Sequence, residues 1–114
     1  MKIQVNTDAN IEGREALVKQ VGATVESALQ RVQEHVTRVE VHLSDQNADK
    51  RGQHDKRCVM EARLQGRQPI AATDEAETLD QAVRGAADKL FKMIDTQLGR
   101  EASGNRSPVN QAAE

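Results

Sequence analysis

From Thr73 to Leu98 the chain carries the segment TDEAETLDQAVRGAADKLFKMIDTQL, whose apolar residues recur at spacings of three and four. This period places them along one stripe of an α-helix. The stripe comprises Leu79, Ala82, Val83, Ala86, Ala87, Leu90, Met93, Ile94 and Leu98. Asp74 and Glu77 are spaced as a capping pair for the start of this helix, and Gly99 is a natural end. Because its alanines let another backbone approach closely, we expect the helix to lie on a flat surface such as a β-sheet.

The segments before this helix supply the strands of such a sheet. Residues 2–6, 37–44 and 57–65 alternate polar and apolar side chains, as half-buried strands do. Residues 68–73 form a short further strand, where Pro69 suits an edge position. The side chains expected to face inward are Ile3, Val5, Val39, Val41, Leu43, Cys58, Met60, Ala62, Leu64, Ile70 and Ala72. Between the first two strands, apolar residues at helical spacing predict a first helix from about Glu12 to His35.

The element order is therefore β-α-β-β-β-α. Two amphipathic helices on one face of a four-stranded sheet predict an α+β fold, a two-layer sandwich. The first crossover joins parallel strands and the later strands form an antiparallel meander, so the sheet is mixed. At 114 residues the chain predicts one domain, residues 1–98. The small, polar residues 99–114 show no periodicity, and we expect them to form a disordered tail.

Composition and charge narrow the class of protein. Sixteen basic and eighteen acidic side chains give a net charge of -2, which argues against nucleic-acid binding by bulk charge alone. Phe91 is the single aromatic residue, so base stacking is not an available binding mode. The sequence shows no signal peptide and no apolar run that could span a membrane, which predicts a cytoplasmic protein without membrane contact.

The residues that usually carry catalysis or bind metal form no recognisable pattern. His35, His42, His54 and Cys58 match no common ligand spacing, so no metal site is predicted. Cys58 is expected to be a small core residue. A phosphate-binding glycine loop, a nucleophile elbow and a partnered carboxylate pair are all missing from the sequence. We therefore predict neither an enzyme nor a cofactor.

Positive charge is concentrated between residues 49 and 67, where six basic residues face three acidic ones, a local charge of +3. The exposed loop predicted for Asp45–Asp55 and the strand after it carry Lys50, Arg51, Lys56 and Arg57. Contact with an RNA backbone is one interpretation of this cluster. The alternative is an ordinary solvated hairpin whose charges protect a sheet edge.

Short matches along the chain resemble the ribosome hibernation-promoting factors, also called ribosome-associated inhibitors or sigma modulation proteins. The resemblance covers residues 2–98 and rests on the element order and on a few short stretches. These are Glu15-Ala16-Leu17, Arg38-Val39-Glu40-Val41-His42-Leu43, Ile70, Asp80-Gln81-Ala82-Val83 and Asp88-Lys89-Leu90. The likeness is to short forms of the family, without the second dimerisation domain of the long forms.

The resemblance implies a fold similar to double-stranded-RNA-binding domains and a protein that binds the small ribosomal subunit. Such a protein occupies the channel of messenger and transfer RNA, and inhibits translation in resting or stressed cells. Basic side chains would contact ribosomal RNA, and the matching positions are Lys89 and Lys92, with Arg84 one turn earlier. For these three the alternative is a helix face paired with acids such as Asp80 and Asp88.

A second hypothesis remains open. The first helix has Thr24, Glu26 and Ser27 where members of this family tend to carry lysines. Together with the net charge of -2, this departure favours a protein-binding or self-associating module that kept the fold without ribosome binding. The polar outer sheet face, with residues such as Arg38 and Glu40, is then either solvent-exposed or the surface of a homodimer.

Overall fold

The structure, a computed structural model, describes residues 1–8, 14–45 and 56–104. Its elements confirm the predicted order, with one short 3₁₀ helix added after the first α-helix. They are β1 (Lys2–Thr7), α1 (Arg14–Ala28), the 3₁₀ helix (Gln30–His35), β2 (Val36–Asp45), β3 (Lys56–Leu64), β4 (Ile70–Ala76) and α2 (Leu79–Gly104). The predicted loop residues 46–55, including Lys50 and Arg51, lie outside the described residues.

The four strands form one mixed sheet in the order β1-β2-β3-β4. The β1 and β2 strands are parallel, and the β2–β3 and β3–β4 pairs are antiparallel. Both helices contribute to a single hydrophobic core with the sheet, which confirms the α+β two-layer sandwich. Gly66, with a φ of 71°, makes the turn between β3 and β4, a conformation that favours glycine.

Period-two alternation identified the inner face of the sheet correctly. Ten of the eleven side chains expected inward are buried, and Ile3, near the start of the edge strand β1, is partly buried against the core. The helices cover this face with Val21, Val25, Leu29, Val32, Ala82, Val83, Ala86, Ala87, Leu90 and Ile94. Met93, which the helical stripe placed inward, is instead 43% exposed.

The first helix ends earlier than predicted. The α-helix stops at Ala28, and the next turn is the tighter 3₁₀ helix that leads directly into β2. Leu29 and Val32 are both buried, and their spacing of three fits three residues per turn as well as an α-helix. For this reason the apolar spacing alone did not distinguish the two kinds of helix.

Both predicted ends of the second helix are wrong. Asp74 is not a cap, because β4 continues to Ala76 and Asp74 pairs with Cys58 of β3. The cap is Thr78, whose hydroxyl accepts a hydrogen bond of 3.1 Å from the backbone N–H of Gln81. At the other end α2 continues through Gly99 to Gly104. Disorder of residues 105–114 stays a prediction, since they lie outside the described residues.

Candidate nucleic-acid interface

An open groove of about 580 Å³ runs between α1 and α2, on the side of the helix layer away from the sheet. The α1 wall has small side chains, Ala23, Thr24, Ser27 and Ala28. Because these side chains are short, the groove stays open where a lysine or arginine would fill it. At Thr24 and Ser27, where the resemblance implied lysines, the structure thus has open space between the helices.

Two arginines flank this groove, one from each side. Arg31 extends from the 3₁₀ helix and its guanidinium carbon lies 4.7 Å from the centre of the Phe91 ring, a cation–π contact across the two elements. Arg84 belongs to α2 and its side chain is 72% exposed. A guanidinium presents a planar set of donors that suits phosphate oxygens, so the two arginines can serve one backbone of a nucleic acid.

Carboxylates accompany these cations. The Arg84 Nε lies 3.1 Å from an oxygen of Asp80, one turn earlier in α2. The other Asp80 oxygen accepts a hydrogen bond of 3.3 Å from the Gln20 side-chain amide, which ties α1 to α2. Asp88 lies in the groove and its Oδ2 is 3.1 Å from the Lys92 Nζ. Arg84 and Lys92 are therefore each paired with an aspartate of α2.

Lys89 is oriented differently from the other two basic residues predicted in α2. Its Nζ lies 2.8 Å from the Asp74 Oδ1 and donates a hydrogen bond of 3.1 Å to the Thr73 carbonyl oxygen. Lys89 is about 140° around the helix from Arg84, on the side that faces β4. The structure thus joins Lys89 to the sheet edge and does not bring it together with Arg84.

The described part of the basic hairpin is also paired with acids. At the base of the hairpin, the Lys56 Nζ is 3.2 Å from an Asp45 oxygen. The Arg57 Nε is 3.9 Å from a Glu75 oxygen, which is too long for a hydrogen bond. Both cations lie at the end of the sheet where β3 begins.

Sequence reasoning missed Arg31 as a candidate residue. The sequence did place Arg31 on the same helix face as two groove residues, because it lies four residues after Ser27 and seven after Thr24. What the sequence did not contain was the position of Phe91 across the groove, because that contact joins residues sixty positions apart.

The remaining reactive groups offer no site among the described residues. Cys58 is fully buried, and burial, with the nearby Asp74 carboxylate, raises the pKa of its thiol to about 12. Within residues 1–8, 14–45 and 56–104, no three His, Cys, Asp or Glu side chains are grouped to hold a metal ion. Over the same residues, neither helix has the length and apolar composition needed to cross a membrane.

Comparison with known proteins identifies the family. The family model described as sigma 54 modulation protein / S30EA ribosomal protein matches residues 3–101. The chain belongs to this family. No curated protein matches the chain. The residues that the family model matches run from β1 into the last turns of α2.

Solved structures of two proteins share the fold of this family member. One is the Protein Y N-terminal domain of Thermus thermophilus, with 21% identity and a TM-score of 0.66 over 82% of this chain and 96% of that one. The other is a ribosomal subunit interface protein from Coxiella burnetii, with 16% identity and a TM-score of 0.64 over 87% of this chain and 99% of that one. At these identities the likeness concerns the fold.

Proposed function

We propose that this family member binds the small ribosomal subunit and inhibits translation in resting or stressed cells by occupying the channel of messenger and transfer RNA. The family match over residues 3–101 carries this proposal. The fold shared with a ribosomal subunit interface protein supports it. The action is occlusion in the cytoplasm, with no reaction and no cofactor.

The groove between the helices is the surface that we assign to ribosomal RNA. Arg31 and Arg84 flank it, and the short side chains of α1 leave room for a phosphate backbone between them. RNA helices are recognised chiefly through backbone and shape, so a groove with two guanidinium groups suffices without aromatic stacking. Lys92, exposed beside the groove, extends the same surface.

The remaining predicted residues form a second group of contacts in this proposal. Lys56 and Arg57 lie at the base of the hairpin that also contains Lys50 and Arg51. Lys89 takes part only if RNA displaces the Asp74 carboxylate. The side chains of Arg57 and Lys89 are 42% and 55% exposed, so their ion pairs contribute at most about 1 kcal/mol and a phosphate can compete with Glu75 and Asp74. Lys56 is only 24% exposed and gives up its pair with Asp45 less easily.

The test is co-sedimentation of the purified protein with small ribosomal subunits over a salt series. Each phosphate contact contributes roughly one unit to the slope of log affinity against log salt. Replacing Arg31 and Arg84 together by glutamine should therefore reduce that slope by about two units. The variant Lys89→Gln/Lys92→Gln should reduce it by about one, because Lys89 is held by Asp74.

The matched control is Arg14→Gln/Lys19→Gln, which removes the same charge from α1 outside the groove. We expect its slope to equal that of the unmodified protein. An equal loss in the control and the groove variant would remove the groove from the interface. Absence of binding at low salt would overturn the proposal and favour the protein-binding or self-associating module.

A further inference from the structure

The outer face of the sheet, opposite the helices, carries its charges in stripes across the strands. Lys2 of β1 is level with Arg38 of β2, and Arg38 is level with Arg63 of β3, which gives a cationic row. In the next outward-facing row Glu40 is directly opposite Glu61. Like charges therefore lie across the strands, and opposite charges lie along them.

This arrangement is unfavourable for an isolated sheet. Like charges directly opposite each other on neighbouring strands are destabilising, whereas opposite charges in the same positions would stabilise the pair. The pairs along the strands compensate only in part. The Arg38 Nε is 2.9 Å from a Glu40 oxygen, but the Arg63 guanidinium is 3.9 Å from Glu61, with the arginine side chain 54% exposed. The cationic row is thus incompletely neutralised within one copy.

Two adjacent stripes of opposite sign are self-complementary. A two-fold axis lying in the plane of the face, parallel to the rows and midway between them, places the cationic row of one copy over the acidic row of the other. Arg38 then faces the second copy's Glu40, and Arg63 faces its Glu61. Isologous contacts of this kind are the usual basis of homodimers, and sheets that pack face to face keep their strands nearly aligned.

We propose that the outer sheet face is a homodimer surface in which these charged rows pair between two copies. A polyanion such as RNA fits the face less well, because the Glu40 and Glu61 row would repel it. The helix groove lies on the opposite layer and stays free, so this inference is independent of ribosome binding.

The size of the face determines how strong the dimer should be. Around this axis only β2, β3 and the start of β1 overlap in the two copies, and about two and a half strands at 4.8 Å with about six residues at 3.3 Å give roughly 250 Å² per copy. The total of roughly 500 Å² is well below the range of stable complexes, which indicates a weak dimer. We expect a dissociation constant of about 10 to 500 μM at low salt. Dimerisation should weaken as salt screens the charged rows.

Sedimentation velocity over this concentration range, at low and high salt, tests the inference with two single variants. Arg63→Glu makes both rows acidic on β3, and Glu61→Arg makes both basic there. The dimer of each variant alone should have a dissociation constant about tenfold to thirtyfold higher than that of the unmodified protein. An equimolar mixture should regain the original affinity, because each changed row then faces its opposite charge in the other variant.

Two controls separate self-association from folding and from general charge. Circular dichroism and thermal melting establish that both variants are folded, since Arg63 is 54% exposed and Glu61 is 31% exposed on the outer face. Lys92→Glu makes the same charge change as Arg63→Glu, but on α2, and should leave association unchanged. A monomer at all concentrations in low salt, a dimer insensitive to both substitutions, or a mixture that fails to regain affinity would each overturn the inference.

Discussion

The contact between Gly85 of α2 and Asp74 of β4 gives the sharpest test of how the helix is held on the sheet. A Cβ atom at residue 85 would lie only 2.6 Å from the Asp74 Cγ, with the Oδ2 closer still. The carboxylate occupies this space while its Oδ1 lies 2.8 Å from the Lys89 Nζ. Gly85→Ala therefore forces Asp74 to move, and moving it breaks the contact with Lys89.

Three effects determine the change in the free energy of unfolding. Alanine is favoured over glycine inside a helix by about 1 kcal/mol. Loss of the pair with Lys89 costs at most about 1 kcal/mol, since the lysine side chain is 55% exposed. Overpacking against the displaced carboxylate costs about 1–3 kcal/mol. These terms sum to a destabilisation of up to about 3 kcal/mol, despite the better helix propensity of alanine.

Urea unfolding of a double-mutant cycle checks this reasoning. In an Asp74→Ala background the carboxylate is gone, and the nearest remaining atom is the Cβ of residue 74 at 3.3 Å. Gly85→Ala should then be neutral or stabilise by up to about 1 kcal/mol. The sign of its effect thus depends on residue 74. Equal stabilisation by Gly85→Ala in both backgrounds would refute the argument, because it would mean that Asp74 moves aside without cost.

Four further measurements probe other parts of the molecule. Thr78→Ala should lower the free energy of unfolding in urea by about 1 kcal/mol through loss of the α2 cap, whereas Thr78→Ser should not. Burial raises the pKa of Cys58 to about 12, so stability should fall by up to about 1.4 kcal/mol per pH unit from pH 9 towards 12. This contribution to the pH dependence of stability should vanish in Cys58→Ala, and the same pH dependence in that variant would contradict the assignment to Cys58. Ile94→Ala should destabilise by about 2–5 kcal/mol, while Met93→Ala should cost about 0.5 kcal/mol because its side chain is 43% exposed. Asp88→Asn should raise small-subunit affinity at low salt by about threefold, measured by co-sedimentation, and unchanged affinity would exclude Asp88 as a competitor.

The strands were predictable because their signal is local. A period of two is tied directly to the two faces of a sheet, so the inner and outer positions of β2 and β3 followed from the sequence. The start of α2 was harder to predict because Asp74 fits two patterns, a helix cap and a residue of an edge strand. Pairing of Asp74 with Cys58 decides between them, and that pairing depends on the register of β3 and β4. The Thr78–Gln81 spacing did carry the correct capping signal.

The candidate interface was less predictable because it depends on where two helices lie relative to each other. The family resemblance groups Lys89 and Lys92 with Arg84, which is near them in the sequence, but their side chains have different partners. Lys89 meets an acid of β4, and Arg84 faces α1. Arg31 joins Arg84 only because the 3₁₀ helix directs it over Phe91. Contacts of this kind depend on tertiary packing, for which a single sequence gives no periodic signal.

Pairing of the candidate cations with carboxylates does not by itself exclude an RNA interface. Arg84 and Lys92 are both 72% exposed, so each pair with its aspartate is largely screened by water and contributes less than about 1 kcal/mol. A phosphate that replaces the aspartate forms a similar contact and also releases counterions from the RNA, a gain that the internal pair lacks. In the proposed interface the acids would therefore weaken RNA binding without abolishing it. Ribosome binding by this chain should consequently be confined to a lower salt range than that of a relative whose helices carry lysines without neighbouring acids.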